Sequence, residues 1–567
     1  MLLRFPTLLI TLLGLSHTPV MASEIADQIF FNAHIISDSK SQKTSEALAI
    51  KGQRILAVGS QKSMEALKGK NTKMTDLNGR TVFPGLHEGH GHLLRIGQKI
   101  TEVDLSGLRS KDLILKRLKD REKKLAKGQW LIGTGWDQNL WENKSFPSID
   151  DLKSINQERP IYLRRVDGHA IWVNQKALDL AGITKQTTIP LGGIIHRNPN
   201  GSPNGILIDN AMLLVENVMP KMNRDEKIKA IKAAITLANS LGLTAFHDAG
   251  TDRETIDIYE SLHKKGELNI RLNVMVDGHD PSLVQMWWKR GPLSTKDDML
   301  LIRSFKLSLD GALGSRGAHL LEDYSDKPGQ RGLSLIPPNK VKDIVEGSIK
   351  TGFQLAIHAI GDKANRDVLN IYEEALRKHP QLDHRFRIEH AQILDEKDIH
   401  RFAKLNIIAS MQGTHCTSDS PWVPIRIGQQ RTNEGAYVWQ KLLKSGAKLV
   451  GGSDAPVESL NPYWGIYSSM TRQNHSGQPL QGWNASQRMS FSEALTTYTQ
   501  AASYAMFLDQ RSGTLSKGML ADFTVIDKKN FDGSNPKELI HVKTHMTVVA
   551  GRTVFKSSQT KKSELSH

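Results

Sequence analysis

The 567-residue sequence has one cysteine, Cys416. No disulfide can close within the chain, which excludes a disulfide-stapled scaffold. A lone thiol without a partnered base is also a poor basis for nucleophilic catalysis. Internal repeats and low-complexity tracts are missing, so neither a solenoid nor a disordered chain is indicated. No apolar run after Leu15 could span a bilayer. Lys and Arg (75) exceed Asp and Glu (59), giving a net charge of +16 that favours anionic surfaces. Acids are interleaved with the bases, however, as in Arg121-Glu122-Lys123-Lys124. No nucleic-acid motif accompanies them, and no nucleic-acid partner is expected.

The N-terminus has Arg4, an apolar stretch from Leu8 to Leu15, and Val20-Met21-Ala22 before Ser23. A charged start, a short apolar core and small residues before the break describe a secretory signal, residues 1–22, cleaved after Ala22. The competing reading is a retained anchor, but the run is shorter than the ~20 residues a spanning helix needs. The expected protein is periplasmic or secreted, with no stable membrane insertion after cleavage.

Strand-rich texture marks both ends of the mature chain. Ile29 to Ile36, then Ala47 to Ile50 turning at Lys51-Gly52 into Ile55 to Val58, are matched by Phe523 to Asp527, Met546 to Val549 and Thr553 to Phe555. Residues 23–80 and 512–560 are therefore read as one small β-sandwich. Between them strands alternate with amphipathic stretches such as Asp225 to Ser240, Lys340 to Thr351 and Ala364 to Lys378. The predicted strands are 81–84, Leu243 to His247, Ile270 to Val276, Leu301 to Leu307, Phe353 to His358, Phe386 to His390, Ile407 to Met411 and Ala447 to Gly451. Eight strands with intervening helices fit an α/β fold of (β/α)8 TIM-barrel type over residues 81–511. The first connection is too long for a bare loop, so residues 93–240 are read as a folded insertion after the first strand.

Barrel active sites lie at the C-terminal ends of the strands. Those ends carry His90 and His92, His247-Asp248, Lys306, His358, His390 and Ser453-Asp454. Residues i and i+2 of an extended segment point the same way, so His90 and His92 can face one point. A mixed His and carboxylate set with an open position suits a divalent metal, Zn2+ first, with Mn2+ or Fe2+ as alternatives.

These segments resemble the amidohydrolase superfamily, within it the YtcJ-like group that includes N-substituted formamide deformylase. The resemblance is carried by Phe83-Pro84-Gly85-Leu86 with His90-Gly91-His92, Gly133 to Trp141, Val166-Asp167-Gly168-His169-Ala170 and Gly242-Leu243-Thr244 with His247-Asp248. It continues through Lys306 with Asp310 to Arg316, His358 to Asp362, Ile388 to Ala391, Gly452 to Val457 and Gly518 to Asp522. It implies a metal-dependent hydrolase of non-peptide C–N bonds in linear or N-substituted amides, acting through an activated water. It places His90, His92 and Asp454 on one metal and His358 and His390 on a second, with one or two ions per chain. Lys306 falls where many members have a carboxylated lysine bridging both ions; the alternative is a cationic Lys306 paired with Asp310. Asp454 is the implied general base and acid. The family more often has Ile-Asp-x-His-x-His; here His87-Glu88-Gly89 precede His90, with Glu88 keeping the charge and His87 read as a tolerated surface residue or a substrate contact.

Four further residues are candidate substrate contacts, three of them beside a plainer reading. Trp136, with Trp141, walls an apolar pocket or packs the insertion. His169 folds down onto the substrate. His247 is a ligand contact or a polar core residue. Arg316 grips a carboxylate or carbonyl, or pins its own loop. His319, His415 and Cys416 are read as structural. The partner expected is a small-molecule substrate, with a homodimer left open. An isomerase or deaminase on the same barrel and a non-catalytic binding protein are the competing classes.

Overall fold

The computed structural model describes residues 24–38, 44–100 and 102–558, and the expected signal segment lies outside them. Among the described residues no helix is long and apolar enough to cross a membrane.

Both chain ends build one sheet. Its order is Arg552–Lys556, Thr544–Val549, Phe523–Lys529, Lys73–Pro84, Gln28–Ile36, Ala47–Lys51, Arg54–Gly59, with Thr44–Ser45 paired beside Gln28–Ile36. Lys73–Pro84 is the seam: it runs parallel to Gln28–Ile36 and antiparallel to Phe523–Lys529. Phe30, Leu48 and Ile50 from the N-terminal half share one apolar cluster with Phe523, Val525 and Met546 from the C-terminal half. The Phe30 and Phe523 rings meet edge to face at 5.0 Å.

The barrel comprises β1 (Leu86–Gly91), β2 (Leu243–Thr251), β3 (Arg271–Asp277), β4 (Leu300–Ser308), β5 (Gln354–Ala359), β6 (Arg387–His390), β7 (Ile408–Gln412) and β8 (Lys448–Gly452). All neighbours from β1 through β8 pair in parallel. The expected first barrel strand, 81–84, belongs instead to the terminal sheet, and β1 starts after Gly85. Gly85 is the joint because a Cβ there would lie 2.2 Å from Thr244 Oγ1. Its N–H bonds the Asp522 carbonyl at 3.0 Å, tying the start of the barrel to the C-terminal segment.

Closure between β8 and β1 runs through the Glu88 side chain and the backbone of the rim. Glu88 Oε1 accepts from the backbone N–H of His90 at 2.9 Å and of Ser453 at 2.8 Å, while Oε2 accepts from Ser453 Oγ at 2.7 Å. Glycine permits this approach: a Cβ at Gly89 would lie 2.3 Å from the Gly451 carbonyl. Asp454 N–H then donates to His90 O at 2.7 Å, and His92 N–H to Ala455 O at 2.8 Å. Glu88 thus fixes the relative position of the two rim segments that carry His90 and Asp454.

The connection after β1 contains a six-stranded sheet, in the order Gly193–Arg197, Pro203–Asp209, Ala170–Val173, Ile161–Arg165, Leu131–Trp136, Val103–Asp104. It has its own apolar cluster, including Leu105, Leu131, Trp136, Leu163 and Trp172. The insertion is narrower than 93–240, because helices Leu93–Lys99 and Arg224–Ser240 belong to the barrel's outer layer. Ile96 of the first and Ile231 and Ile235 of the second join the main core with β1 and β2 residues. These helices touch so closely that a Cβ at Gly97 would sit 2.1 Å from the Ala230 carbonyl oxygen. Gly97→Ala is therefore expected to lower stability by about 1–3 kcal/mol through overpacking. A thermal melt unchanged from the parent protein would refute this close crossing.

Candidate metal centre and active site

The extended end of β1 delivers His90 and His92 to one side, their ring centroids 5.7 Å apart. Asp248, at the end of β2, fixes the turn that follows: its Oδ1 accepts the Leu93 N–H at 2.8 Å, and its Oδ2 accepts from Thr251 and Tyr259 hydroxyls. Across the rim, the His90 and His390 rings lie 5.1 Å apart and those of His358 and His390 4.4 Å apart. Asp454 Oδ1 stands 3.1 Å from His92 Nε2 and 3.6 Å from His90 Nε2. His390 and Asp454 both hold positive φ, 74° and 57°. Such backbone strain, roughly 1–3 kcal/mol per residue, persists where surrounding contacts over-determine the geometry, and it clusters at functional sites.

Ring orientation follows from the Nδ1 partners. His90 Nδ1 meets Glu389 Oε2 at 2.5 Å, His92 Nδ1 meets the Ala249 carbonyl at 2.9 Å, and His390 Nδ1 meets Gln412 Oε1 at 2.9 Å. All three acceptors take a proton from Nδ1, which leaves the Nε2 lone pairs free to face the cluster. His90 Nε2, His358 Nε2 and Asp454 Oδ1 are buried and lack a hydrogen-bond partner among the described residues. Burial holds His90, His358 and His390 below the ordinary histidine range, the last two well below it. Burial alone would raise Asp454, but His92 and His90 outweigh it and keep the carboxylate well below its usual value. The imidazoles of His90, His358 and His390, disposed to be neutral, and an ionised Asp454 converging on one point fit a divalent cation. His90, His390 and Asp454 have ligand atoms within 4.8 Å of one another.

Lys306 lines the same cavity and no carboxylate lies within salt-bridge distance of it among the described residues. Burial lowers its pKa, although Glu389 and Asp454 oppose the shift. It does not pair with Asp310. That carboxylate accepts the N–H groups of Ile360, Gly361 and His319, organising the loop after β5.

His169 also reaches the cavity, its ring 5.3 Å from that of His358. Its Nδ1 meets Asp209 Oδ1 at 2.5 Å. Burial disfavours the charged ring, but Asp209 prevails and raises the His169 pKa. Asp209 is itself enclosed by glycines: a Cβ at Gly311 or Gly317 would approach its Oδ2 to 2.3 or 2.5 Å. The Gly-rich run from Asp310 to Gly317 therefore seats the insertion's His–Asp pair against the barrel.

Three expected substrate contacts lie elsewhere. Trp136 is fully buried in the insertion core, where its indole N–H donates to Leu163 O at 2.8 Å and its ring stacks on Trp141. His247 is sealed inside the barrel below the rim, where its Nδ1 accepts from Asn273 at 3.1 Å and Arg387 at 2.9 Å. Arg316 pairs with Asp326, which also binds Arg426, so it pins its loop. His87 is not a surface residue: it is buried at the base of the barrel, 5.9 Å from the His247 ring, and burial lowers its pKa to about 4. Burial pushes the Cys416 thiol up to about 12, which leaves it inert as a nucleophile.

Several residues of the site were not evident in the sequence. Glu389, held by Arg387 at 2.7 Å, and Gln412 set ring orientation from neighbouring strands. Asp209 lies 40 residues from the histidine it holds. His279, whose Nε2 accepts from Ser308 N–H at 2.9 Å, and Arg95 also line the cavity. Glu389 beside His390 was the one legible signal, as a carboxylate adjoining a candidate ligand.

An eight-stranded parallel barrel with histidines and an aspartate converging at its C-terminal rim is the architecture of metal-dependent hydrolases. A model of the amidohydrolase family matches residues 73–555, and the chain belongs to that family. It is 35% identical over 522 residues to Protein LONG AFTER FAR-RED 3 of Arabidopsis thaliana, covering 90% of this chain and 89% of that one. YtcJ of Bacillus subtilis (strain 168) is 34% identical over 521 residues, covering 91% and 96%. N-substituted formamide deformylase of Arthrobacter pascens is 24% identical over 524 residues, covering 90% and 95%. Among solved structures, an uncharacterized metal-dependent hydrolase from Pyrococcus horikoshii OT3 matches with a TM-score of 0.72 at 25% identity, over 90% of this chain and 98% of that one. Family and neighbour together support a metal-dependent hydrolase.

Gln412→Ala removes the acceptor that orients His390 without unpairing a charge. Metal affinity is expected to fall about 10–100-fold, read by titration with a competing chelator. Parent-like affinity in this variant would show that Gln412 does not orient His390.

Proposed function

We propose that this protein hydrolyses a non-peptide C–N bond of a small linear or N-substituted amide. The observation that carries the reading is the convergence of His90, His390 and Asp454 on an open cavity, with the ligand atoms His90 Nε2 and Asp454 Oδ1 buried and unpartnered. Similarity to N-substituted formamide deformylase supports the amide as the bond cleaved. In this reading His90, His92 and Asp454 hold one ion and His358 and His390 a second, with Zn2+ the metal that best suits the donor set. Such an ion supplies Lewis acidity, drawing charge from a carbonyl oxygen and making water a stronger acid.

Asp454, ionised at neutral pH, would accept a proton from the attacking water as the new C–O bond forms. It would then return that proton to the amine nitrogen as the C–N bond breaks, acting as base and then acid. His169, kept protonatable by Asp209, faces the same space from the insertion and would donate a hydrogen bond to the substrate carbonyl. Lys306 is suited to carbamate formation: in its uncharged form, which burial favours, the amine adds to CO2, a C–N bond forms, and a proton leaves to water. The anion so produced would bridge the two ions. Export with cleavage after Ala22 belongs to the same proposal, and intact mass of protein from its native host checks it: a mature chain beginning at Ser23 supports it, and one beginning at Met1 contradicts it.

With zinc or manganese restored, a panel of N-formyl and N-acyl amines is expected to release free amine and carboxylate. A chelator should stop the release, and Asp454→Asn should lower kcat about 10²–10⁴-fold. A fully metallated protein that releases no amine from any member would sink the amide reading. Lys306→Ala is expected to lose activity and to regain part of it in acetate or propionate, which can occupy the bridging position. Full activity of this variant without added carboxylate would rule the bridge out.

A further inference from the structure

Three arginines line the active-site cavity: Arg95, Arg164 and Arg165. Arg165 is spent on Asp167, Asp137 and Gln138. Arg164 is spent on Glu216 and the Gly168 carbonyl. Arg95 has no hydrogen bond or ion pair among the described residues, although it is only partly exposed. Its nitrogens are open to solvent, so the five donors of a rigid guanidinium fork are available to a ligand in the cavity.

Its mounting is rigid. Arg95 sits three residues beyond His92, in the first turn of helix Leu93–Lys99, whose start is held by Asp248 through the Leu93 N–H. The side chain is therefore referenced to the same segment that carries a ligand of the rim cluster. The charged groups facing it are Arg164, Glu216 and Glu102, with the Tyr162 hydroxyl. Glu216 is already engaged by Arg164 and by Tyr162 at 2.6 Å. Glu102 acts on Arg95, Arg164 and Lys99 electrostatically but forms no salt bridge with Arg95 among the described residues. Arg95 also borders a second, larger cavity of about 1220 Å³. It lines this second cavity as well as the reaction cavity. The reaction cavity measures about 320 Å³, near the lower end of small-molecule sites. A group bound by Arg95 would then share this cavity with the rim cluster.

We propose that Arg95 binds a carboxylate of the substrate, so that the enzyme acts on small N-acyl compounds bearing an acid, such as N-acyl amino acids. This rests on the C–N hydrolysis reading above and narrows it. The planar guanidinium fork matches a carboxylate in two parallel hydrogen bonds, a match an ammonium cannot reproduce.

The test uses pairs of formamides that differ by one carboxylate: N-formylglycine against N-methylformamide, N-formylalanine against N-ethylformamide, and N-formylphenylalanine against N-phenethylformamide. The zinc-loaded parent is expected to favour the acid in kcat/KM by about 10–100-fold, the range of a hydrogen-bonded charge. Arg95→Gln should bring that ratio close to one, mainly through KM, and Arg95→Lys should leave it intermediate. A parent enzyme without preference for the acid, or a ratio unchanged in Arg95→Gln, would overturn the assignment while leaving the hydrolysis reading in place. If no formamide is cleaved, the hydrolysis reading falls and calorimetric binding of the N-formyl amino acids decides on Arg95. Binding by the parent that is lost in Arg95→Gln and partly kept in Arg95→Lys supports the anion site. No binding, or equal binding by all three proteins, overturns it.

Discussion

Each rim imidazole of His90, His92 and His390 is turned by what it gives its Nδ1 proton to: a carboxylate, a backbone carbonyl and an amide oxygen. That choice leaves the Nε2 lone pairs aimed at one another and at Asp454, an arrangement repulsive by itself and stabilised by a cation. The rest of the structure serves this geometry. Glu88 pulls β1 and the segment after β8 together, glycines at 89 and 452 let them approach, and Asp248 fixes the turn after His92. Arg387 holds Glu389 from within the barrel, and that pair is fully buried. Removing one partner of such a pair costs about 3–5 kcal/mol, so the orientation of His90 is coupled to the stability of the whole barrel.

The insertion and the terminal sheet have different relations to this centre. The insertion lowers His169, backed by Asp209, over the cavity from a separately packed core. The terminal sheet stays away from the cavity and anchors the barrel's base, where Asp522 binds Arg271 through two nitrogens. A C-terminal acid thereby holds a residue of β3. Loss of the C-terminal strands would expose both the terminal sheet's core and a buried arginine.

Much of this was legible because barrel strands repeat a local pattern. Apolar runs ending in His, Lys or Gly-Ser-Asp located seven of the eight strands to within a few residues and assembled the rim histidines, Lys306 and Asp454. The first strand was misplaced by a few residues. Val82 and Phe83 are as apolar as Leu86, and only the contacts of Gly85 divide one sheet from the other. For Trp136, His247 and Arg316 the structure selects the plainer of the two readings. The sequence left both open for a shared reason: residue type and proximity to a motif do not say which side of a strand faces the cavity. Glu389, Gln412 and Asp209 act across strands or domains, so no local spacing announces them. Arg95 is informative only through what it lacks, and a missing partner cannot be read from a sequence.

The most direct test of the metal centre is anomalous diffraction from crystals of the zinc-loaded protein, collected above and below the zinc edge. A peak within bonding distance of His90 Nε2, His92 Nε2 and Asp454 is the predicted result. Zinc found only away from this cluster, or a rim whose histidines turn their Nδ1 atoms inward with no metal between them, would contradict the account.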